Sequence, residues 1–118
     1  MTKMRPEAIA MANVLLRHHK SIYEPIAKQV DINSCVMAYG KMCDLAGVPW
    51  LMRNPGGFLE EIASWCSDNG WPPLNSLAVN GESRMPGDGY DGARGCSLIN
   101  WASEAEACIK FSGYPEKV

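Results

Sequence analysis

From Tyr39 to Leu59 the chain reads YGKMCDLAGVPWLMRNPGGFL. Tyr39-Gly40 opens this stretch, and Leu45-Ala46 are apolar. Gly47 suits the positive φ on which many helices end, because it has no Cβ to clash. Pro49 suits the first turn of a following helix, where its missing N–H is not needed. Arg53 lies four residues further on, about one helical turn. Gly56-Gly57 lets two backbones turn or come close. The pattern predicts a short helix, a glycine turn and the start of a second helix, which is helix-turn-helix logic. Pro55 interrupts a continuous second helix, so the segment expected to enter a groove is short or broken.

Downstream, Gly57 to Asn69 reads as a helix. Phe58, Ile62, Trp65 and Cys66 mark its apolar face, with Glu60, Glu61 and Asp68 opposite. Glu60 and Glu61 complement the dipole at the helix start, and they would repel phosphate if this helix faced DNA. Gly70 ends it and Trp71-Pro72-Pro73 breaks the chain direction. Leu74 to Val79 is the best strand candidate, and Asn80-Gly81 is a strong turn signal. A glycine-rich return arm over 82–90 completes the shape of a wing. The run Gly87 to Gly95 lacks the Lys-Ser/Thr of a P-loop and the closing Glu of an EF-hand, so it reads as wing tip and connector. A last helix is expected from Leu98 through Phe111. Ala102, Ala105, Ile109 and Phe111 pack inward there, Glu104 and Glu106 face water, and the tail beyond Gly113 is loose.

Upstream, Pro6 suits a helix start, and Ile9, Ala12, Val14-Leu15-Leu16 and His19 recur near the helical period. One long helix to about His19 and a short one around Pro25–Val30 are predicted. Cys35–Ala38 either carries a short strand or begins the next helix. The fold class is therefore α+β and mostly helical. It is a single winged helix-turn-helix domain over 1–118, with the unit at 35–90 and flanking helices at 1–30 and 98–112.

The 118 residues suffice for one domain with one core. No run of about 18 apolar residues predicts a membrane span. The apolar patch before Arg17 has Glu7 ahead of it and His18-His19-Lys20 behind, which is not the order of a secretory signal. Five cysteines without a C-x-x-C pair point to reduced thiols in a cytoplasmic protein, and their spacing gives no metal cluster. Adjacent His18 and His19 point in different directions on a helix. No metal or cofactor is expected.

The net charge of −2 argues against strong nonspecific binding to nucleic acid. Its distribution is uneven. Up to Val30 five basic residues outnumber two acidic ones, whereas from Gly56 onward nine carboxylates face four basic residues. A duplex has to meet the N-terminal third and avoid the C-terminal half. That acidic half is a solvated face, or it suits a basic protein partner.

The register of Tyr39, Gly40, Leu45, Ala46, Gly47, Pro49, Arg53, Gly56, Gly57 and Leu59 resembles the DNA-binding domain of the O6-alkylguanine DNA alkyltransferases and the alkyltransferase-like proteins. The resemblance spans roughly residues 36–85. It implies a winged helix, an arginine (Arg53) that enters the base stack when a nucleotide is flipped out, and a tyrosine (Tyr39) beside the rotated phosphate. The family's reactive Pro-Cys-His-Arg segment corresponds here to residues 72–80, which contain no cysteine, histidine or arginine. Alkyl transfer by that segment is therefore excluded, since no thiol is present. The segment from Pro72 to Tyr90 is also similar to small uncharacterised phage or plasmid proteins.

No Ser-His-Asp or Cys-His arrangement is supported by spacing, so no enzyme activity is expected. The leading expectation is a non-catalytic DNA-binding protein contacting double-stranded DNA through Tyr39, Lys41, Trp50, Arg53 and Arg84. The alternative is a small inhibitor that docks its acidic surface on a basic host protein. Within the chain, Arg53 has the competing roles of capping the turn or pairing with Asp44, and Trp50 that of packing in a core or interface.

Overall fold

Pro6 begins α1 (Pro6–Ile22), and the periodic residues Ala8, Met11, Ala12, Leu15 and His19 form its buried stripe. The computed structural model describes residues 3–118. The helix expected around Pro25–Val30 does not form; residues 23–31 run as turns and bends. The chain then makes α2 (Ile32–Cys35), β1 (Met37–Ala38) and α3 (Tyr39–Leu45). The short strand that Cys35–Ala38 allowed is thus present. After a 3-10 turn at Pro49–Leu51 come α4 (Gly56–Asp68), a second 3-10 turn at Leu74–Leu77, and β2 (Ala78–Val79). Two more 3-10 turns, Asp88–Gly92 and Leu98–Asn100, lead into α5 (Trp101–Lys110).

Two helix ends share one construction. Gly47 has φ of 78° and Gly70 has φ of 71°. At the first, Gly47 N–H donates to Asp44 O (3.2 Å) and Val48 N–H to Cys43 O (2.9 Å). At the second, Gly70 N–H donates to Ser67 O (3.1 Å) and Trp71 N–H to Cys66 O (2.9 Å). Both are Schellman ends, and in both the residue after the glycine is hydrophobic and folds back on a cysteine. Pro55 caps α4, its carbonyl accepting from Phe58 and Leu59 N–H at 3.0 Å each. The second helix of the unit is therefore split, as Pro55 predicts. One 3-10 turn follows Pro49, and a separate helix starts after Pro55. Arg53 lies in the turn between them rather than on a helix.

The wing is the main correction. The segment 74–77 is a fully buried 3-10 turn, and β2 pairs in parallel with β1 (Met37↔Ala78, Ala38↔Val79) instead of forming a hairpin with the return arm. The reason is local. Asn80 Oδ1 accepts from the amides of Glu82 (2.8 Å) and Ser83 (3.3 Å), which curls the chain. The loop then closes on itself, Arg84 N–H donating to Asn80 O (2.9 Å) and Asn80 N–H to Met85 O (2.8 Å). Pro86 has no N–H for a ladder.

The main core gathers Met11, Leu15, Met42, Ile62, Leu74, Leu77 and Ile109, so α1 and α5 are part of it rather than additions. A smaller cluster joins Val36, Val79, Tyr90, Trp101 and Ala105, and Trp101 Nε1 donates to Ser76 O at 2.8 Å. On α5, Ala102 is exposed, and Glu104 does not face water: it accepts from the Tyr90 hydroxyl (2.5 Å) and from Ser97 N–H. Nor is the tail loose. Tyr114 donates to Pro72 O (2.5 Å) and stacks edge-on against His19, Trp71 and Phe111.

Candidate functional site

β1 and β2 are parallel, so both end on the same side, where the chain turns away as Tyr39-Gly40 and Asn80-Gly81. Diverging chain ends of parallel strands leave a crevice. Here the crevice is a cleft of about 740 Å³, walled by the 52–56 turn, the 80–90 arm and Glu60 of α4. Gly40, Gly56, Gly81, Gly87 and Gly89 line it, so much of its wall is bare backbone. Asn75 and Tyr90 line it from the core side.

Two of the sequence-predicted residues, Tyr39 and Arg53, meet at this cleft. Tyr39 is half-buried, and its hydroxyl accepts the Gly87 N–H at 2.7 Å. Burial raises the Tyr39 hydroxyl above the ordinary tyrosine range, outweighing the opposing Gly87 bond. It stays protonated at neutral pH, and accepting from Gly87 leaves its own O–H free to donate. Arg53 is exposed and has no hydrogen bond or ion pair among the described residues, so it does not pair with Asp44.

The other three lie outside the cleft lining. Lys41 is exposed on α3. Trp50 is 73% exposed on the 3-10 turn rather than packed in the core. Arg84 holds a positive φ of 59° and donates to the Asn33 carbonyl at 3.0 Å, which fastens the arm to α2. One of its five guanidinium N–H donors is used in that bond.

Glu60, Glu82 and Asp88 face Arg53 around the rim, so the cleft is acidic overall. Sequence reasoning placed Glu60 on a solvated face and did not single out Asn75 or Asp88. The spacing of Gly81, Gly87 and Gly89 was the available signal for a close approach. No cysteine lines the cleft. Cys96 lies behind it, 3.6 Å from Asn75 Nδ2, and burial raises its thiol above the ordinary range. Burial also raises Cys66 to about 11 and Cys108 to about 12. Among the described residues no group of His, Cys, Asp and Glu is arranged to hold a metal, and no helix is long and apolar enough to cross a membrane.

No protein-family model, curated protein or solved structure matches this chain.

Proposed function

We propose that this chain is a non-catalytic DNA-binding protein that seats a nucleotide rotated out of the duplex in the cleft beside Tyr39 and Arg53. One observation carries this reading: the fold brings both residues to a single glycine-lined cleft. The volume of about 740 Å³ has room for a base with its sugar. A flat base suits walls without side chains, and an unpaired arginine on an exposed turn suits the gap that the base leaves in the stack. The protonated Tyr39 hydroxyl is a donor suited to the displaced phosphate. The relation to the alkyltransferase-like proteins rests on the Tyr39–Leu59 register, and neither a wing nor a long recognition helix is part of its support. The acidic rim and small net charge imply modest affinity that falls steeply with salt.

The test is fluorescence anisotropy across a salt series, comparing a fully paired duplex with one carrying a single unpaired nucleotide. The unpaired duplex binds more tightly, and Arg53→Ala loses about 1–3 kcal/mol of that binding. Absence of binding to both duplexes at low salt overturns the reading.

A protein partner is the second reading. Trp50 is 73% exposed, Leu45 56% and Met52 49%, all on the α3–α4 corner. Aromatic and Met side chains are enriched at interfaces, and the carboxylates nearby suit a basic partner.

A further inference from the structure

A second pocket, of about 390 Å³, lies where the end of α1 meets the chain after α5. Its rings are Tyr23, Phe111, Tyr114 and the buried His19. Tyr114 is held in place. Its hydroxyl donates to Pro72 O (2.5 Å), and its ring meets His19 and Phe111 edge-on, with centroids 4.8 and 4.7 Å away. His19 Nε2 donates to Cys108 O at 2.8 Å, since a carbonyl only accepts. Burial lowers the His19 pKa, so the ring is neutral at neutral pH. Tyr23 is half-buried, 5.7 Å from the His19 ring, and its hydroxyl has no partner among the described residues.

The cations of this pocket come from α1. Arg17 and Lys20 stand three residues apart and so share one helix face. Arg17 is exposed, with no hydrogen bond or ion pair among the described residues. Lys20 pairs with Glu116 at 3.5 Å, both side chains lying largely in solvent. Such a pair is worth little and yields to a stronger anion. The lining thus sets two cations against one carboxylate, whereas the cleft beside Tyr39 sets one cation against three carboxylates. The two sites lie at opposite ends of α1. Arg5, before its first residue, binds Glu61 next to the cleft, and Tyr23 follows its last. The 17 residues of α1 span about 25 Å.

The ligand that fits has two parts. A flat ring matches the aromatic wall, because aromatic side chains accept any π-face. A doubly charged anion matches Arg17 and Lys20, and the guanidinium fork suits phosphate. Three rings and a carboxylate also suit an organic cation, but the two cations oppose one. The volume sits low in the range of small-ligand pockets, which favours one compact molecule over an extended one.

We propose that this pocket binds an aromatic phosphate of mononucleotide size, with the ring against Tyr23 and Tyr114 and the phosphate on Arg17 and Lys20. The site is separate from the cleft and does not depend on the flipped-nucleotide reading.

The experiment follows amide NMR spectra of the whole chain during titration with adenosine monophosphate, adenosine, inorganic phosphate or choline. Adenosine monophosphate shifts the amides of Lys20, Tyr23, Ser112 and Tyr114 and leaves those of Gly40 and Gly81 in place. Adenosine and inorganic phosphate each bind at least about tenfold more weakly, because each offers only half of the chemistry. Arg17→Gln weakens adenosine monophosphate about tenfold, the scale of one charge-assisted hydrogen bond. That side chain is exposed and unbonded, so the variant keeps the fold. Tyr23→Ala weakens it about fivefold or more. A phosphorylated deoxyadenylate strand offers the same groups. Tighter binding of the strand supports the proposal with a nucleic-acid end as the source, and tighter binding of the monophosphate supports it with a free nucleotide. Preference for choline, shifts confined to the cleft, or an Arg17→Gln variant that binds like wild type overturns the proposal. So does the absence of any shift at millimolar adenosine monophosphate, which leaves the reading of the cleft standing.

Discussion

The cleft has two walls held in different ways. The wall from α3 to Gly56 is fixed by its own backbone, through the Schellman end at Gly47 and the capping carbonyl of Pro55. The 80–90 arm opposite curls on its own bonds around Asn80, but side chains reaching to other elements hold it in place. Tyr39 holds Gly87, Arg84 reaches Asn33, and Tyr90 binds Glu104. One wall would keep much of its shape if its neighbours moved. The other owes its position to them. A site with one self-supporting wall and one tethered wall can admit a ligand by releasing tethers, without remaking a helix.

The comparison can be broken at its root. Leu77 is fully buried just before β2 and anchors the base of the tethered wall in the main core. Leu77→Ala loses about 2–5 kcal/mol in urea unfolding. A loss under about 1 kcal/mol would mean that the arm is not rooted there. Gly47 tests the self-supporting wall. Nothing lies within 4 Å of a Cβ added there, so Gly47→Ala costs only the positive φ, about 1–2 kcal/mol. Its effect on amide exchange stays within residues 43–51. The smallest effect is Tyr39→Phe, which removes the bond to Gly87 N–H and costs about 1 kcal/mol. Exchange at Gly87 accelerates while that at Val48 does not. Equal acceleration at both would erase the distinction between the walls.

The same distinction governs what the sequence revealed. Gly47, Gly70, Pro6 and Pro55 each act through backbone rules within a few residues, and each helix boundary they imply is present in the structure. The partner of Ala78–Val79 was not legible, because it lies beyond two intervening helices. Leu74–Val79 alternates well enough to suggest a strand. Yet Asn75 and Ser76 are buried with Leu74 and Leu77, which a half-exposed strand does not allow. Asn80-Gly81 signals a turn correctly. That turn opens a closed loop and not a hairpin, since the Asn80 side chain is committed to the amides of Glu82 and Ser83. Of the cleft, Tyr39 and Arg53 were legible from their register. Asn75 was not, because a buried asparagine in an apolar run shows nothing of its unmet hydrogen bond until the floor is in place.

The β1–β2 ladder has a kinetic consequence. Its strands meet only after the chain between them has folded back, an ordering cost that delays contacts distant in sequence. The groove at their ends is then among the last features to appear during refolding. A ligand that fits it recognises the finished protein and not its precursors, so occupancy would raise the melting temperature by mass action and report how much of a preparation has reached the native state.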